Sequence, residues 1–477
     1  MNKSLLSGAI PAALLLMLLF GGCDPDAREA RRQEQLAREN DPHYEAKVYY
    51  RDHFFNPYYY WIDEQLPLAK SLKPTDAQDI YHYFDTLLYA RDHWSWMCDG
   101  PSFVSSETGQ LSGTYGVSLG QPIEYYDDYL VKVAYVYPGS SFAAQGVTRG
   151  WTLTDIGGEQ VDQLIRTGRF YQAFTTSPQS FTLLDLDGIS HSFVAEATNL
   201  SVSPVLKTAV FTAADFPGLT EPVGYFNYLS FKANFLDDID QAMATLKAAN
   251  VRYLILDLRY NGGGDSRASQ KLVDYLAPKS AVGEVYVRRT HNSRLSRYDV
   301  SSKVDGETNS LDLRRLYVIT GAGSASASEM ITNGLRPLMN LQMVGDTTYG
   351  KPNGMYVMLY PDSKADQLRY DKDDYSRLEW VFLPICFYNK NGQGESIPDE
   401  GFIPDNYRPD DLYHDFDVTE DNINACLTHI VTGAYPALPP KIEYVRSGRS
   451  RARLSTEPER NPHYGQYWVR ALPDMTE

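Results

Sequence analysis

Three short stretches of this chain carry residues whose types and settings could do chemistry. The first is GAGSASASEM (321–330), where three serines alternate with alanines between the β-formers Leu316, Tyr317, Val318 and Ile319 and a helix-like stretch from Glu329 to Met339. A linker needs no helix start, and a helix cap needs one hydroxyl rather than three. A serine in the first turn of a helix lies near free N–H groups and the positive end of the helix dipole, where developing negative charge on a substrate oxygen is favoured. The second is TTYGKPNG (347–354), which holds Lys351 between Gly350 and Pro352. A lysine buried in such a turn loses affinity for its proton and can act as a base toward serine, whereas a solvated lysine, the commoner fate, cannot. The third is DLRYNGGG (257–264), whose glycines allow backbone N–H groups to approach a ligand closely. It lacks the G-x-G-x-x-G spacing of a dinucleotide site, and taken alone it reads equally well as a tight strand-to-helix turn.

The elements that must position these stretches follow from periodicity. VGYFNYLSF (223–231) reads as a strand, LDDIDQAMATLKAAN (236–250) as an amphipathic helix, and VRYLILDL (251–258) as a strand buried on both faces. This alternation predicts an α/β layer over about 205–435, the core that holds all three stretches. Residues 111–200 have another texture, short β-like runs broken by Gly and Pro, and are expected to form a small β domain. Residues 44–110 are rich in aromatics, with Ile80, Tyr83, Phe84, Leu87 and Leu88 on one helical face, and read as a helical N-terminal domain. Residues 24–43 read as a charged tether, and 436–477 as a polar, basic, flexible tail with no function of its own. The fold class is therefore α+β and multidomain.

The first 23 residues carry Lys3, the apolar run AIPAALLLMLLF and then FGGC, the pattern of a secretory signal that is too short to span a membrane. Cys23 after small residues resembles the lipobox of bacterial lipoproteins, which implies an acylated Cys23 and a lipid anchor in the cell envelope. The remaining cysteines, Cys98, Cys386 and Cys426, are few and far apart, with no metal-binding spacing, so neither a disulfide framework nor a metal or other cofactor is expected. Acidic residues number 61 against 44 basic ones, and the formal charge of −17 makes nucleic acid an unsuitable partner.

Taken together, DLRYNGGG, SASASE and YGK in this order resemble the C-terminal processing peptidases, the tail-specific proteases with a serine–lysine dyad. The resemblance implies a core of the ClpP/crotonase-like type. It implies Ser326, the middle serine, as nucleophile and Lys351, 25 residues on, as general base. The N–H groups of Ala327 and Gly264 would form the oxyanion hole. The order of turns in 111–200 is similar to a PDZ domain, which would hold an extended peptide along Tyr115, Gly116, Val117, Ser118 and Leu119. Some members carry an acidic residue eleven positions after the serine; Pro337 stands there, so no third catalytic residue is assigned. GFIPD (401–405) matches the family's late signature only loosely. The expected function is a serine endopeptidase cleaving unfolded or C-terminally recognised polypeptides through an acyl-enzyme. The alternatives are a catalytically inactive peptide- or ligand-binding lipoprotein of the same fold, and a small-molecule esterase.

Overall fold

The computed structural model describes residues 25–77, 79–120, 123–125, 128–307, 310–438 and 466–469. The signal segment and Cys23 lie outside the described residues. These residues fall into two compact units, one running to Pro57 and over Asp63–Tyr89, the other formed by Tyr58–Ile62 and the chain from Ala90 onward.

The first unit is helical. The expected tether is itself a helix, Pro25–Asn40, built from strong helix formers and laced by Gln33–Glu29 and Gln35–Glu39 side-chain bonds four residues apart. Helix Ile80–Leu87 buries Ile80, Tyr83, Phe84 and Leu87 of the expected stripe, while Leu88 caps the helix in an extended conformation and is only partly buried. Lys47 is fully buried and spends its ammonium on Asp41 and on the Pro74 and Ala77 carbonyls. Residues 90–110, expected in this unit, instead belong to the second. There Trp96–Asp99 pairs with Trp380–Leu383, because Trp96, Cys98 and Phe103 find their apolar neighbours among Val381, Leu383 and Ile385.

The second unit is organised by a six-stranded sheet in the order Val205–Phe211, Val223–Tyr228, Tyr253–Asp257, Arg315–Thr320, Leu341–Gly345, Asn406–Tyr407. All neighbours after the first pair run parallel. A parallel sheet needs cover on both faces, and the sequence supplies it. Tyr225, Ile255, Tyr317 and Ile319 pack under Ile423 and Leu427 of helix Asp421–Thr432. On the other face Leu246 of helix Leu236–Ala248 sits against Gly224. The register aligns Asn227 with Asp257, Asp257 with Ile319 and Thr320 with Gly345. Three strands thus end side by side, and the loops leaving their carboxyl ends are DLRYNGGG, GAGSASAS and DTTYGK. That is where an open parallel sheet builds its sites.

A second sheet runs Gly263–Asp265, Gln466–Val469, Asn353–Tyr356, Ile385–Lys390, Val285–Thr290, Val300–Lys303. Its second member corrects the expectation of a wholly flexible tail: residues 466–469 form a strand parallel to both neighbours. The described residues between 117 and 195 form a β-rich layer in the order Val117–Leu119, Asp128–Val136, Thr152–Ile156, Gln179–Leu184, Ser190–Ala195, over a core that includes Val131, Phe142, Leu153 and Phe181.

Candidate active site

The three loops are fastened to one another by the serines themselves. Ser324 Oγ donates to the Leu258 carbonyl at 2.7 Å and accepts the Gly321 N–H at 3.0 Å. Ser328 Oγ donates to the Asn261 carbonyl at 2.8 Å, which also accepts the Ala325 N–H. Two of the three hydroxyls therefore staple the serine loop to the glycine loop. The hydroxyl of Ser326 does not. It is buried, and it has no hydrogen-bond partner among the described residues. Its backbone sits at φ 56° and ψ −108°, a conformation disfavoured for any side chain, directly before helix Ala327–Leu335. Such strain at a strand-to-helix turn is a recurrent way of presenting a nucleophile. Ala327 opens the helix, so its N–H is among those with no intrahelical acceptor.

Lys351 is 1% exposed, and its ammonium too lacks a hydrogen-bond partner among the described residues. Burial pushes its pKa down to about 7, only partly offset by the negative charges of Asp92 and Glu329. Asp92 is held in turn by Tyr59 Oη and by the N–H groups of Trp94 and Ser95. At about 7 a large fraction of the amine is neutral at physiological pH and can accept a proton.

Glu329 organises the pair. One carboxylate oxygen accepts the N–H groups of Ser326 and Lys351, each at 2.9 Å. The other accepts Thr348 Oγ1 at 2.5 Å and the Gly350 N–H at 2.8 Å. Burial raises the pKa of Glu329, and these four donors pull it back; with four donors aimed at it, the ionised form is the one the site accommodates. The segment 401–405 supports the same loop. Phe402 N–H bonds to Thr348 Oγ1 at 2.7 Å, and Gly401 lies so close to the Thr348 carbonyl that an added Cβ would stand 2.0 Å from it. Neither Glu329 nor Thr348 was singled out from sequence. Glu329 was findable, because Ser326-x-x-Glu329 is a capping-box spacing. Asp92 gave no such signal.

The glycine loop is equally constrained. Asn261 anchors it, bonding the Tyr228 carbonyl and the Gly263 N–H. Gly264 sits at φ 141°, and a Cβ there would meet the Phe231 carbonyl oxygen at 2.1 Å, so no other residue fits. Beneath it Arg259 is buried with three carboxylates, Asp257 at 2.9 Å, Asp410 at 2.8 Å and Glu420 at 2.5 Å. Arg149 of the β-rich layer reaches the same Asp410 at 2.7 Å.

Of the residues expected to hold peptide, Val117, Ser118 and Leu119 form the terminal strand of the β-rich sheet, paired on one side with Asp128–Val136. The Tyr115 side chain points into the core against Phe142 and Phe181, with its hydroxyl on the Thr176 carbonyl. Gly116 is pressed against Ser140 at φ 70°. The described residues contain no cluster of side chains able to hold a metal.

The profile of peptidase family S41 matches residues 222–378, a span that contains all three loops. That segment is similar to peptidase family S41. The chain is 28% identical over 152 residues to carboxyl-terminal-processing peptidase 2 of Arabidopsis thaliana chloroplasts, covering 32% of this chain and 28% of that one. It is 30% identical over 179 residues to the carboxyl-terminal-processing protease of Synechocystis, covering 38% and 36%. The matched stretch thus spans about a third of each curated relative. The fold resembles a solved structure described as a putative S41 protease from Bacteroides fragilis, with a TM-score of 0.62 at 19% identity over 80% of this chain and 96% of the other.

Proposed function

We propose that this protein is a serine endopeptidase of the C-terminal processing type in which Ser326 and Lys351 act as a dyad. One observation carries the reading: a buried hydroxyl and a buried amine, both without partners among the described residues, hang from backbones pinned to the same Glu329 oxygen. Neutral Lys351 takes the Ser326 proton as Oγ bonds to the scissile carbonyl carbon. The N–H groups of Ala327 and Gly264 receive the oxyanion, each worth about 3 kcal/mol in comparable sites. Collapse breaks the C–N bond, and Lys351 returns its proton to the leaving amine. Water, deprotonated by the same lysine, then releases the acyl group from Ser326.

Substrates in this reading are unfolded or C-terminally recognised polypeptides. The terminal strand Val117–Leu119 supports a PDZ-like recruiting role, since an extended peptide can add to its outer edge by main-chain bonding. Acylated Cys23 would hold the enzyme on the cell envelope. A fluorophosphonate probe tests the chemistry: it should label the wild type on Ser326 and leave Ser326→Ala unlabelled, and loss of peptide hydrolysis should follow the label. Equal labelling of both proteins would refute the assignment.

A further inference from the structure

The strand at 466–469 stands where the chemistry would need a substrate. Gln466, Tyr467 and Trp468 pair with Gly263, Gly264 and Asp265, while Trp468 and Val469 pair with Met355 and Tyr356. One wall of this slot holds the candidate oxyanion donor, and the other begins two residues after Lys351. On its far side the glycine strand is already spent: Gly263 O accepts the Phe231 N–H, and the Asp265 N–H donates to Phe231 O. Strand geometry therefore turns the N–H and C=O of Gly264 toward residues 466–469. Among the described residues, this four-residue segment is the only link between Gly263–Asp265 and Asn353–Tyr356 in the sheet.

Without it the two walls would face each other as unpaired edges, a template for any extended chain. Two glycines on one wall place no side chain in the way, so recognition there is by main chain and tolerant of sequence. We propose that the slot between Gly263–Asp265 and Met355–Tyr356 is the binding site for the extended polypeptide substrate. Residues 466–469 are its resident occupant, an intramolecular strand that a substrate must displace. The inference rests on the peptidase reading for its consequence, restrained activity, but the binding claim is measurable without catalysis.

The test uses the full chain with Tyr467→Pro and Trp468→Pro together, which removes two strand N–H groups without shortening the protein. A labelled peptide of sequence YGQYWVRA, residues 464–471, is titrated by fluorescence anisotropy into Ser326→Ala and into Ser326→Ala with both prolines. The proline protein should bind at least about tenfold tighter, the factor expected if the wild-type slot is open in one molecule in ten. With Ser326 restored, the proline protein should cleave an unstructured fluorogenic peptide faster than wild type, and unlabelled YGQYWVRA should inhibit it competitively. Equal peptide binding by the two Ser326→Ala proteins would overturn the proposal. So would a fall in melting temperature with no gain in binding, which would make residues 466–469 a structural strand. Tighter binding with no hydrolysis by any Ser326-containing protein would uphold the slot and refute the peptidase reading instead.

Discussion

Ser326 and Lys351, 25 residues apart in the chain, donate their backbone N–H groups to one oxygen, Glu329 Oε2, at 2.9 Å each. The carboxylate thereby fixes the distance between two backbones whose side chains would have to meet. Glu329 touches neither reacting atom, so its part is positioning. Glu329→Gln would turn an amide N–H₂ against N–H donors and leave at least one of them unsatisfied. A cost of about 1–3 kcal/mol in stability is expected, along with a loss of about 10²-fold in kcat from misplacement, while KM changes little. Because the Glu329 charge raises the Lys351 pKa, the rising limb of the pH–rate profile should also move to lower pH. A variant with lowered Tm but an unmoved pH limb would confine Glu329 to a structural role.

The three serines should separate cleanly. Ser324→Ala and Ser328→Ala each remove a buried bond to the glycine loop, so each should cost about 1 kcal/mol of stability and retain much of the activity. Ser326→Ala removes a hydroxyl that bonds nothing among the described residues, so the fold should be as stable as wild type while peptidase activity is abolished. The double variant with Lys351→Ala should be scarcely worse than either single one, as expected of groups that act as a unit. Measured kcat/KM beside thermal melts decides this; loss of all activity in Ser324→Ala would show that the nucleophile lies elsewhere.

Much of this site was legible in the sequence. The parallel core was written in VRYLILDL and the helix before it, because a strand buried on both faces must be apolar throughout. The three loops that meet at the candidate site were marked by their order along the chain, since each stretch alone also had an ordinary structural reading. The divergences have local causes. A helix at Pro25–Asn40 arises from i,i+4 pairs within a composition that also suits a tether. Trp96–Asp99 was read with its sequence neighbours, yet its apolar partners lie some 285 residues further along at Val381 and Leu383. The tail strand was missed because its three β-formers, Tyr467, Trp468 and Val469, are too short a run to stand out in a tail read as polar and basic.

Arg259 joins the glycine loop to the rest of the unit, and it is buried with Asp257 and Glu420, which are themselves fully buried. Arg259→Met would strand two carboxylates in the interior, a change expected to cost about 3–5 kcal/mol. Combining it with Glu420→Gln should recover part of that loss, because one stranded charge is then gone. Urea unfolding midpoints for the single and double variants measure the coupling, and additive losses would mean that the pair makes no net interaction.

The depressed pKa of Lys351 has consequences for both rate and stability. Activity should rise with pH through about 7 as the amine loses its proton, and chelators should leave the rate unchanged. For stability the sign is fixed by linkage. An unfolded lysine titrates near 10.4, so between about 7 and 10.4 the unfolded chain binds more protons at this site than the folded one. Stability must therefore rise with pH across that window, and the burial penalty is felt in full only below it. Each tenfold loss of proton affinity on folding corresponds to about 1.4 kcal/mol, which makes the penalty several kcal/mol near neutral pH. Lys351→Met, which fills the same space without a charge, should be inactive yet melt at higher temperature than wild type at pH 6. That advantage should shrink steadily toward pH 10, as the wild-type lysine becomes neutral in both states. Melting curves of the two proteins across this range are sufficient; a constant gap, or one that widens with pH, would mean that Lys351 keeps an ordinary pKa and cannot serve as the base.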